Sequence, residues 1–242
     1  MARGNQHGQE HFAFVKRLLS EELGIPRNLV TLNNGDTVAL KDGVGTWGSR
    51  SAIVGGAAVI AAARKLKSLV ESRNGGYTSE GLLGGNYDAE VFDEHTRQLN
   101  SFGANLETIG IDNYGIVSVK ECAACYDVSR ALSPNVVESQ IIGGSMQGIG
   151  QALYESVVHD LEGRLLTKDL FDAGVPIAEN TPEFFITIVE RPSSFVHRAK
   201  GLGEAPTIGV PITVVRAIEK VSGKRIRHTP VRPEELIEDS GT

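Results

Sequence analysis

The sequence contains only two cysteines, and this shortage excludes several kinds of site. Cys122 and Cys125 stand in a Cys-Ala-Ala-Cys pair. One pair cannot supply the four thiolates of an iron–sulfur cluster or of a structural zinc site. The pair suits either a redox couple or two small residues in a strand-like segment, and we favour the strand.

The chain also lacks the features of secreted, membrane and nucleic-acid-binding proteins. Its first residues contain no hydrophobic region, so they do not resemble a signal peptide. No apolar run approaches the length of a membrane span. The 24 basic and 30 acidic residues give a formal net charge of −6, which argues against a general nucleic-acid binder. We therefore expect a cytoplasmic protein.

Two nucleotide-binding signatures are missing as well. The sequence has no Walker A run and no Gly-x-Gly-x-x-Gly after a strand, so nucleotide binding through these motifs has little support. What the sequence has in quantity is glycine, with 28 residues that occur in clusters rather than in a repeat. Such clusters suggest places where the backbone approaches another backbone or a ligand closely.

Hydrophobic spacing and turn residues predict both helices and strands in this chain of 242 residues. Helical spacing predicts helices at 11–23, about 52–69, about 137–153 and 208–221. Strands are expected at 29–32, in a hairpin from 102 to 119 that turns at 112–115, around 117–125, and at 165–168 and 184–189. Between 72 and 100 the pattern breaks down, which indicates a surface excursion.

One acidic side chain near the C-terminal end stands beside two glycines and a proline. Gly201 and Gly203 flank Leu202. Glu204 follows, and Pro206 then suits the first turn of a helix. These residues predict Glu204 on a rigid loop at a helix N-terminus. Taken alone, Glu204 is better explained as a helix-start carboxylate that complements the macrodipole than as a side chain aimed at a ligand.

A second glycine-rich loop, Gly-Thr-Trp-Gly-Ser-Arg-Ser at 45–51, leads into a predicted helix of small apolar residues. It offers backbone N–H groups, two serine hydroxyls and a helix N-terminus, which are the donors that a phosphate needs. A plain serine-capped helix start is the alternative.

The predicted helix at 137–153 contains four glycines. A glycine in a helix costs about 1 kcal/mol relative to alanine. Such a cost makes sense where a neighbour must lie very close to the helix. The neighbour is either another helix or an embedded cofactor, and the sequence leaves both open.

Two catalytic motifs are matched only partly. His7, Glu10 and His11 fit the H-x-x-E-H pattern of a zinc peptidase family, and two histidines one helical turn apart can share a metal. No third ligand is obvious, so a zinc peptidase is a remote alternative. Gly-Gly-Ser-Met-Gln at 143–147 resembles a nucleophile elbow, but glutamine replaces its closing glycine and no strand precedes it.

Several of these motifs occur together in one order: a Gly-Gln pair before a helix, the Gly-Ser-x-Ser loop, a Gln-x-x-Gly-Gly helix and Gly-x-Gly-Glu. Together they resemble the C-terminal part of the molybdopterin-binding large subunit of the xanthine dehydrogenase/aldehyde oxidase/carbon monoxide dehydrogenase family. The resemblance implies an α+β molybdenum-cofactor-binding domain with small mixed sheets packed with helices. It implies a first cofactor-binding segment at 1–72, a shortened or flexible surface excursion at 73–100, and a second cofactor-binding segment at 101–242 with the catalytic Glu loop.

The resemblance also implies roles for individual residues. Glu204 corresponds to the catalytic base. The backbone of Gly48 corresponds to a position beside the molybdenum, which the pterin holds without direct side-chain ligands. The residues that correspond to cofactor-binding positions are Gly8, Gln9, Gly48, Ser49, Arg50, Ser51, Gln140 and Gly203. Glu10 departs from the family, which usually has glycine at this position. A carboxylate beside a pyrophosphate is unfavourable unless its side chain turns away.

By the same resemblance, the chain is expected to be a subunit of a molybdenum hydroxylase, an oxidoreductase with molybdenum–molybdopterin as cofactor and the cytosine dinucleotide as one candidate form. Glu204 is then the general base in the oxidative hydroxylation of an aldehyde or N-heterocycle C–H, with water as the oxygen source. The expected partners are a chain with the N-terminal half of the molybdenum domain, a 2Fe-2S iron–sulfur subunit, an FAD subunit and a small-molecule substrate. The chain alone is expected to be inactive, and a non-catalytic cofactor scaffold is the alternative.

Overall fold

The structure is a computed structural model that describes residues 6–36, 38, 45–91, 101–191, 193 and 196–237. Its helices are α1 (His11–Leu23), α2 (Gly56–Asn74), α3 (Ser79–Leu83), α4 (Pro134–Leu153) and α5 (Ala205–Ser222). Its strands are β1 (Phe102–Ile111), β2 (Val117–Asp127) and β3 (Glu183–Val189), which form one sheet in the order β1-β2-β3. A π-helical turn, Ser51–Gly55, leads directly into α2. The predicted α+β class is confirmed.

The chain divides into two compact units. The first unit comprises Met1–Ser101, Asp127–Val137 and Val189–Leu202. The second unit comprises Phe102–Tyr126, Glu138–Ile188 and Gly203–Thr242. Because each unit joins segments that lie far apart in the sequence, many of the contacts that build it are long-range.

The first unit is built around α1 and α2. One of its buried clusters contains Leu18, Ile60, Leu132 and Ala199, and the other contains Leu23, Ile25, Val30 and Ala63. Gly24 ends α1 in a left-handed conformation, with φ 65°, which is a common role of glycine at a helix C-terminus. Since Ala199 shares a cluster with both helices, the segment that leads to Gly201 is held against them.

The second unit packs α4 and α5 with the sheet. Its buried cluster contains Val117, Val119, Ile149, Ala152, Leu153, Val210, Val214, Ile218, Val231 and Leu236. Two glycines of α4 make the helix packing close, because a Cβ on Gly144 would lie 3.1 Å from Pro206 Cβ and one on Gly148 would lie 2.8 Å from Val210 Cβ. For these two glycines, a neighbouring helix is therefore the explanation.

Most of the predicted elements are confirmed. The helix at 11–23 has the predicted bounds, and the last helix begins slightly earlier than predicted, at Ala205. The strands predicted at 29–32 and 165–168 are wrong, since Arg27–Leu29 form a 3-10 turn and Leu165 makes a single β-bridge with His159. A short apolar run is ambiguous by itself, and the three-stranded sheet includes neither of these two runs.

The two cysteines lie in a strand, which is the explanation that the sequence favours over a redox couple. Both belong to β2 and both are free thiols, with Cys122 buried and Cys125 exposed. Residues three apart on a strand point to opposite faces, which explains the difference in burial. In the described part of the chain, no helix is long and apolar enough to cross a membrane.

Candidate functional site

The loop at 45–51 has an unusual backbone. Gly45, Gly48 and Ser49 have positive φ angles of 84°, 61° and 52°. A left-handed conformation is uncommon for a residue other than glycine, so Ser49 carries local strain. Such strain tends to occur at ligand-binding positions, where the surrounding structure must hold it in place.

The π-helical turn Ser51–Gly55 begins directly after this loop. Its N-cap residue is Arg50, which makes no side-chain capping hydrogen bond. The alternative of a serine-capped helix start is therefore wrong, since an arginine occupies the N-cap position. The Val54 N–H donates to the Arg50 carbonyl at 2.8 Å, and the N–H groups at 51–53 are the donors that a helix N-terminus presents. Together with the Ser51 hydroxyl, they suit an anionic group.

A positive charge lies beside these donors. The guanidinium carbon of Arg50 lies 5.0 Å from the centre of the Trp47 ring, which is a cation–π contact. Trp47 is 56% exposed, although large aromatic side chains are usually more buried than this. The contact restrains the Arg50 side chain at the start of the helix and keeps its charge near the N–H groups.

Gly201 brings the second predicted motif against this loop within the first unit. A Cβ at Gly201 would lie 1.9 Å from the carbonyl oxygen of Ser49, so only glycine fits there. The Gly201 carbonyl also accepts a hydrogen bond from the Ser101 N–H at 3.0 Å. Two motifs that are far apart in the sequence are thus in direct backbone contact.

A buried histidine holds the chain just before Gly201. The Nε2 of His197 donates to the Ile53 carbonyl at 2.9 Å, and its Nδ1 accepts from the Ala199 N–H at 3.1 Å. Burial is the main cause that lowers the pKa of His197, so the ring is neutral, with its proton on Nε2. His197 therefore ties the segment before Gly201 to the π-helical turn. Nothing in the sequence distinguishes it from the other histidines.

A partly buried ion pair also holds this segment. Lys200 Nζ lies 2.8 Å from Asp127 Oδ2, and the two side chains are 12% and 19% exposed. The hydrogen bond from Lys200 is the main cause that lowers the pKa of the Asp127 carboxyl. The Lys200 N–H also donates to the Val128 carbonyl at 2.9 Å. The sequence did not indicate Asp127 as a supporting residue, although Asp-Val-Ser at 127–129 is a turn signal.

The predicted Gly-Gln pair lies directly before α1. Gly8 has a φ of 98°, which a residue with a side chain rarely adopts. The Oε1 of Gln9 accepts from the His7 N–H at 2.7 Å, and its Nε2 lies 3.1 Å from the His7 Nε2. Glu10 is the N-cap of α1, is exposed, and makes no side-chain capping hydrogen bond. The amide of Gln9 is thus engaged locally with His7.

The zinc-peptidase alternative finds no ligand set in the described residues. His11 is 6% exposed and makes an edge contact with the Phe14 ring, with 5.5 Å between ring centres. Burial is the main cause that lowers the pKa of His11. Across the described ranges, no three His, Cys, Asp or Glu side chains form a group that could hold a metal ion.

In the second unit, Glu204 is the N-cap of α5, as predicted. Its side chain is exposed and makes no capping hydrogen bond with α5. Glu204 can then stabilise the start of α5 only through its negative charge, which lies near the positive end of the helix dipole. The Thr207 hydroxyl donates to the Gly144 carbonyl at 3.1 Å, which ties the first turn of α5 to α4.

The structure brings some of the predicted site residues together within the first unit. Gly48, Ser49, Arg50 and Ser51 form one loop, and Gly201 packs on its backbone. Gly8 and Gln9 also belong to the first unit, whereas Gln140, Gly203 and Glu204 belong to the second. Gln140 lies half-buried on α4, and Gly203 is exposed beside Glu204. The functional roles of all these residues remain predictions.

The chain resembles several characterised proteins over most of its length. The nicotine 6-hydroxylase large subunit of Paenarthrobacter nicotinovorans is 25% identical over 96% of this chain. The carbon monoxide dehydrogenase large chain of Hydrogenophaga pseudoflava is 28% identical over 87% of it. These matches cover 34% and 31% of the two relatives, so the chain spans about a third of their length.

A solved structure and a family of sequences also match this chain. The quinoline 2-oxidoreductase from Pseudomonas putida 86 superposes with a TM-score of 0.81 at 25% identity, over 96% of this chain and 35% of that one. The sequence model of the molybdopterin cofactor-binding domain matches residues 1–82 and 72–182. Because that match spans more than half of the chain, the resemblance to the xanthine dehydrogenase, aldehyde oxidase and carbon monoxide dehydrogenase proteins is confirmed, and the chain belongs to the molybdopterin cofactor-binding domain family.

Proposed function

We propose that this chain is part of a molybdenum hydroxylase, that it binds molybdopterin, and that Glu204 is the general base of the reaction. The observation that carries the proposal is the contact between Gly201 and Ser49. It joins the loop with phosphate-binding character to the short segment that leads to Glu204. The relatives are named as hydroxylase and dehydrogenase large subunits, which supports the same reaction class.

The donor set of the first unit fits a cofactor that carries phosphate. Ser49 and Ser51 offer hydroxyls, the start of the helix offers backbone N–H groups, and Arg50 offers a positive charge. In this proposal these residues hold the cofactor together with Gly8, Gln9, Gly48, Gln140 and Gly203. The cytosine dinucleotide is a candidate form, because a second phosphate gives this donor set another partner. The bound molybdenum supplies Lewis-acid and redox chemistry.

The chain's own contribution to the chemistry is a positioned proton acceptor. Glu204 lies on an exposed loop and is not used as a capping group of α5. Its carboxylate accepts a proton from the water that supplies oxygen, while an aldehyde or N-heterocycle C–H is oxidised. The contacts of His197, Lys200 and Gly201 restrain the segment of the first unit that precedes Glu204 in the chain.

Partner chains complete the proposal. The relatives include the large subunit of nicotine 6-hydroxylase and the gamma subunit of the 6-hydroxypseudooxynicotine dehydrogenase complex. We propose a chain that carries the N-terminal half of the molybdenum domain, a 2Fe-2S subunit and an FAD subunit, all in the cytoplasm. The iron–sulfur and FAD groups of these partners then accept the electrons that the reaction releases. The free cysteines Cys122 and Cys125 are too few to hold an iron–sulfur cluster in this chain.

The test is Glu204→Gln in the complex purified with its partner chains. A general base contributes about 10²–10⁴-fold to a rate, so turnover should fall by at least about a hundredfold while the molybdenum and pterin content stays unchanged. Glu234→Gln is the matched control, because Glu234 is exposed in the 3-10 turn Pro233–Glu235 and lies outside the predicted site.

The remaining outcomes separate the alternatives. Turnover near that of the parent complex in Glu204→Gln would show that Glu204 is not the base. A parent complex that contains molybdenum and pterin but oxidises no aldehyde or N-heterocycle would favour the non-catalytic scaffold. Zinc in place of molybdenum would favour the peptidase.

A further inference from the structure

The second unit contains a buried polar cluster that the proposed function does not use. It lies among β1, β2, α4 and α5 and contains Asn105, Glu107, Cys122, Tyr126, Ser145 and Thr213. The Tyr126 hydroxyl donates to Asn105 Oδ1 at 2.6 Å, and the Cys122 thiol donates to Glu107 Oε1 at 3.7 Å. Glu107 is 8% exposed, and Ser145 is fully buried. A carboxyl group in this position is unusual for a protein core.

Three polar atoms of the cluster have no hydrogen-bond partner at ordinary hydrogen-bond distance within the described ranges: Glu107 Oε2, Asn105 Nδ2 and Ser145 Oγ. All three side chains lie beside the Cys122 thiol, and those of Ser145 and Asn105 make weak hydrogen bonds to it. A thiol sulfur is a weak acceptor, so these bonds leave the two donors poorly satisfied. A buried polar atom without a partner costs free energy comparable to a lost hydrogen bond. Three such atoms around one thiol therefore indicate a shared partner rather than three independent losses.

The chemistry of the three atoms selects the partner. The amide nitrogen of Asn105 donates, Glu107 Oε2 accepts or, when protonated, donates, and the Ser145 hydroxyl does both. A cation does not suit the amide donor, and an anion does not suit the carboxyl group. A water molecule can donate and accept at once, and a buried water typically makes about three hydrogen bonds to otherwise unsatisfied groups.

We propose that Asn105, Glu107 and Ser145 bind an ordered internal water molecule in the core of the second unit. This water links β1 to α4. The Thr213 side chain, which also hydrogen-bonds Glu107, extends the link to α5. Ser145 follows Gln140 on α4, and Thr213 lies on the helix that Glu204 caps. The hydrated cluster thus restrains both helices that carry predicted site residues.

The charge state of Glu107 follows from its surroundings. Burial is the main cause that raises the pKa of the Glu107 carboxyl, and the hydrogen bonds from Thr213 and Cys122 oppose it. The titratable groups that face it are Cys122 and Tyr126, and burial raises the pKa of these to about 11 and about 12. Both are neutral near pH 7. Since no cation is among these neighbours, burial favours the neutral form of Glu107, which can donate to the water.

The direct test is a crystal structure of the full chain, alone or in its complex, at a resolution that shows ordered water. We expect one water molecule within hydrogen-bond distance of Glu107 Oε2, Ser145 Oγ and Asn105 Nδ2. Direct hydrogen bonds among these three side chains, with no density between them, would overturn the proposal. A metal ion at the same place, recognised by its short contacts, would overturn it too.

Infrared spectroscopy at pH 7 tests the neutral carboxyl group independently. The band of a protonated carboxyl group should be present in the parent chain and absent in Glu107→Gln, whose amide can still hold the water. Glu121→Gln is the matched control, since Glu121 lies exposed on β2, where it accepts a hydrogen bond from Thr108 at 2.8 Å. A parent spectrum without that band contradicts a neutral Glu107.

Thermal unfolding across the pH range gives the same information about stability. A pKa that is raised in the folded chain stabilises it below the pKa of the unfolded state, and this stabilisation is lost as pH rises through the folded pKa. Glu107→Gln removes that loss, so its melting temperature should exceed that of the parent at high pH, by a margin that shrinks as the pH falls. A difference that does not change with pH would count against the proposal.

Discussion

The two units use glycine against different neighbours. In the first unit, Gly201 faces the backbone, because a Cβ there would lie 1.9 Å from the Ser49 carbonyl oxygen. In the second unit, Gly148 faces a side chain, because a Cβ there would lie 2.8 Å from Val210 Cβ. In the same helix as Gly148, Gly143 has no such neighbour within 4 Å among the described residues. Glycine thus permits a close loop contact at Gly201 and a close helix contact at Gly148, whereas Gly143 permits neither among the described residues.

The difference matters because the neighbours differ in how far they can move. The Ser49 carbonyl belongs to a loop whose left-handed residues leave it little freedom. The Val210 side chain belongs to a packed helix that can shift slightly as a unit, at a cost in packing. Close approach to backbone is therefore the stronger requirement for glycine, and it occurs beside the loop that we propose binds the cofactor.

The largest effect is expected for Gly201→Ala. The new Cβ must push the Ser49 carbonyl away, and overpacking typically costs 1–3 kcal/mol and occasionally more, so we expect a loss of about 3 kcal/mol in urea unfolding. The molybdenum content of the complex should fall as well, because the displaced loop carries the proposed phosphate donors.

Gly76→Ala is the control for this change, since Gly76 lies in the same unit and a Cβ there meets nothing within 4 Å. If Gly201→Ala lost no more stability than Gly76→Ala and kept its molybdenum, the contact with Ser49 would not be a requirement. Glycine would then not be required more strictly at position 201 than at position 148.

A smaller effect is expected for Gly148→Ala. The added methyl group presses on Val210 and on Pro211 Cδ, which would lie 2.9 Å away, so α4 and α5 must separate slightly. Overpacking of this kind costs about 1–3 kcal/mol, and we expect the middle of that range, about 2 kcal/mol, in urea unfolding. Unchanged stability would mean that α5 moves aside freely and that the contact does not explain the glycine.

Much of this architecture could be predicted from the sequence, where local patterns decide the structure. Helical spacing placed α1 within its observed bounds, and Pro206 with the flanking glycines placed Glu204 at the start of α5. The order of the motifs also predicted the family, which the sequence match confirms. These predictions succeed because propensity, turn residues and motif order agree at these positions.

The supports of the site could not be predicted, because each depends on residues far apart in the chain. The contacts from His197 to Ile53, from Lys200 to Asp127 and from Gly201 to Ser49 leave no local pattern. The helical glycines were ambiguous for the same reason, since a close helix and a close cofactor require the same absence of a side chain. Only the positions of the neighbours separate these explanations.

The smallest effect is expected for Gly143→Ala. This variant tests whether Gly143 leaves room for a neighbouring helix or for a cofactor. Gly143 is exposed on α4, one helical turn after Gln140, and a Cβ there meets nothing within 4 Å in the described residues. Alanine is the better helix former by about 1 kcal/mol, so the free energy of unfolding should rise by up to that amount in urea.

The molybdenum content of the same variant then decides the role of Gly143. A complex with Gly143→Ala that is more stable but holds less molybdenum would assign this glycine to clearance for the cofactor beside Gln140. A more stable complex with full molybdenum content would leave Gly143 without a role in either contact. Loss of stability would instead show that a neighbour packs on Gly143, which would place it with Gly148.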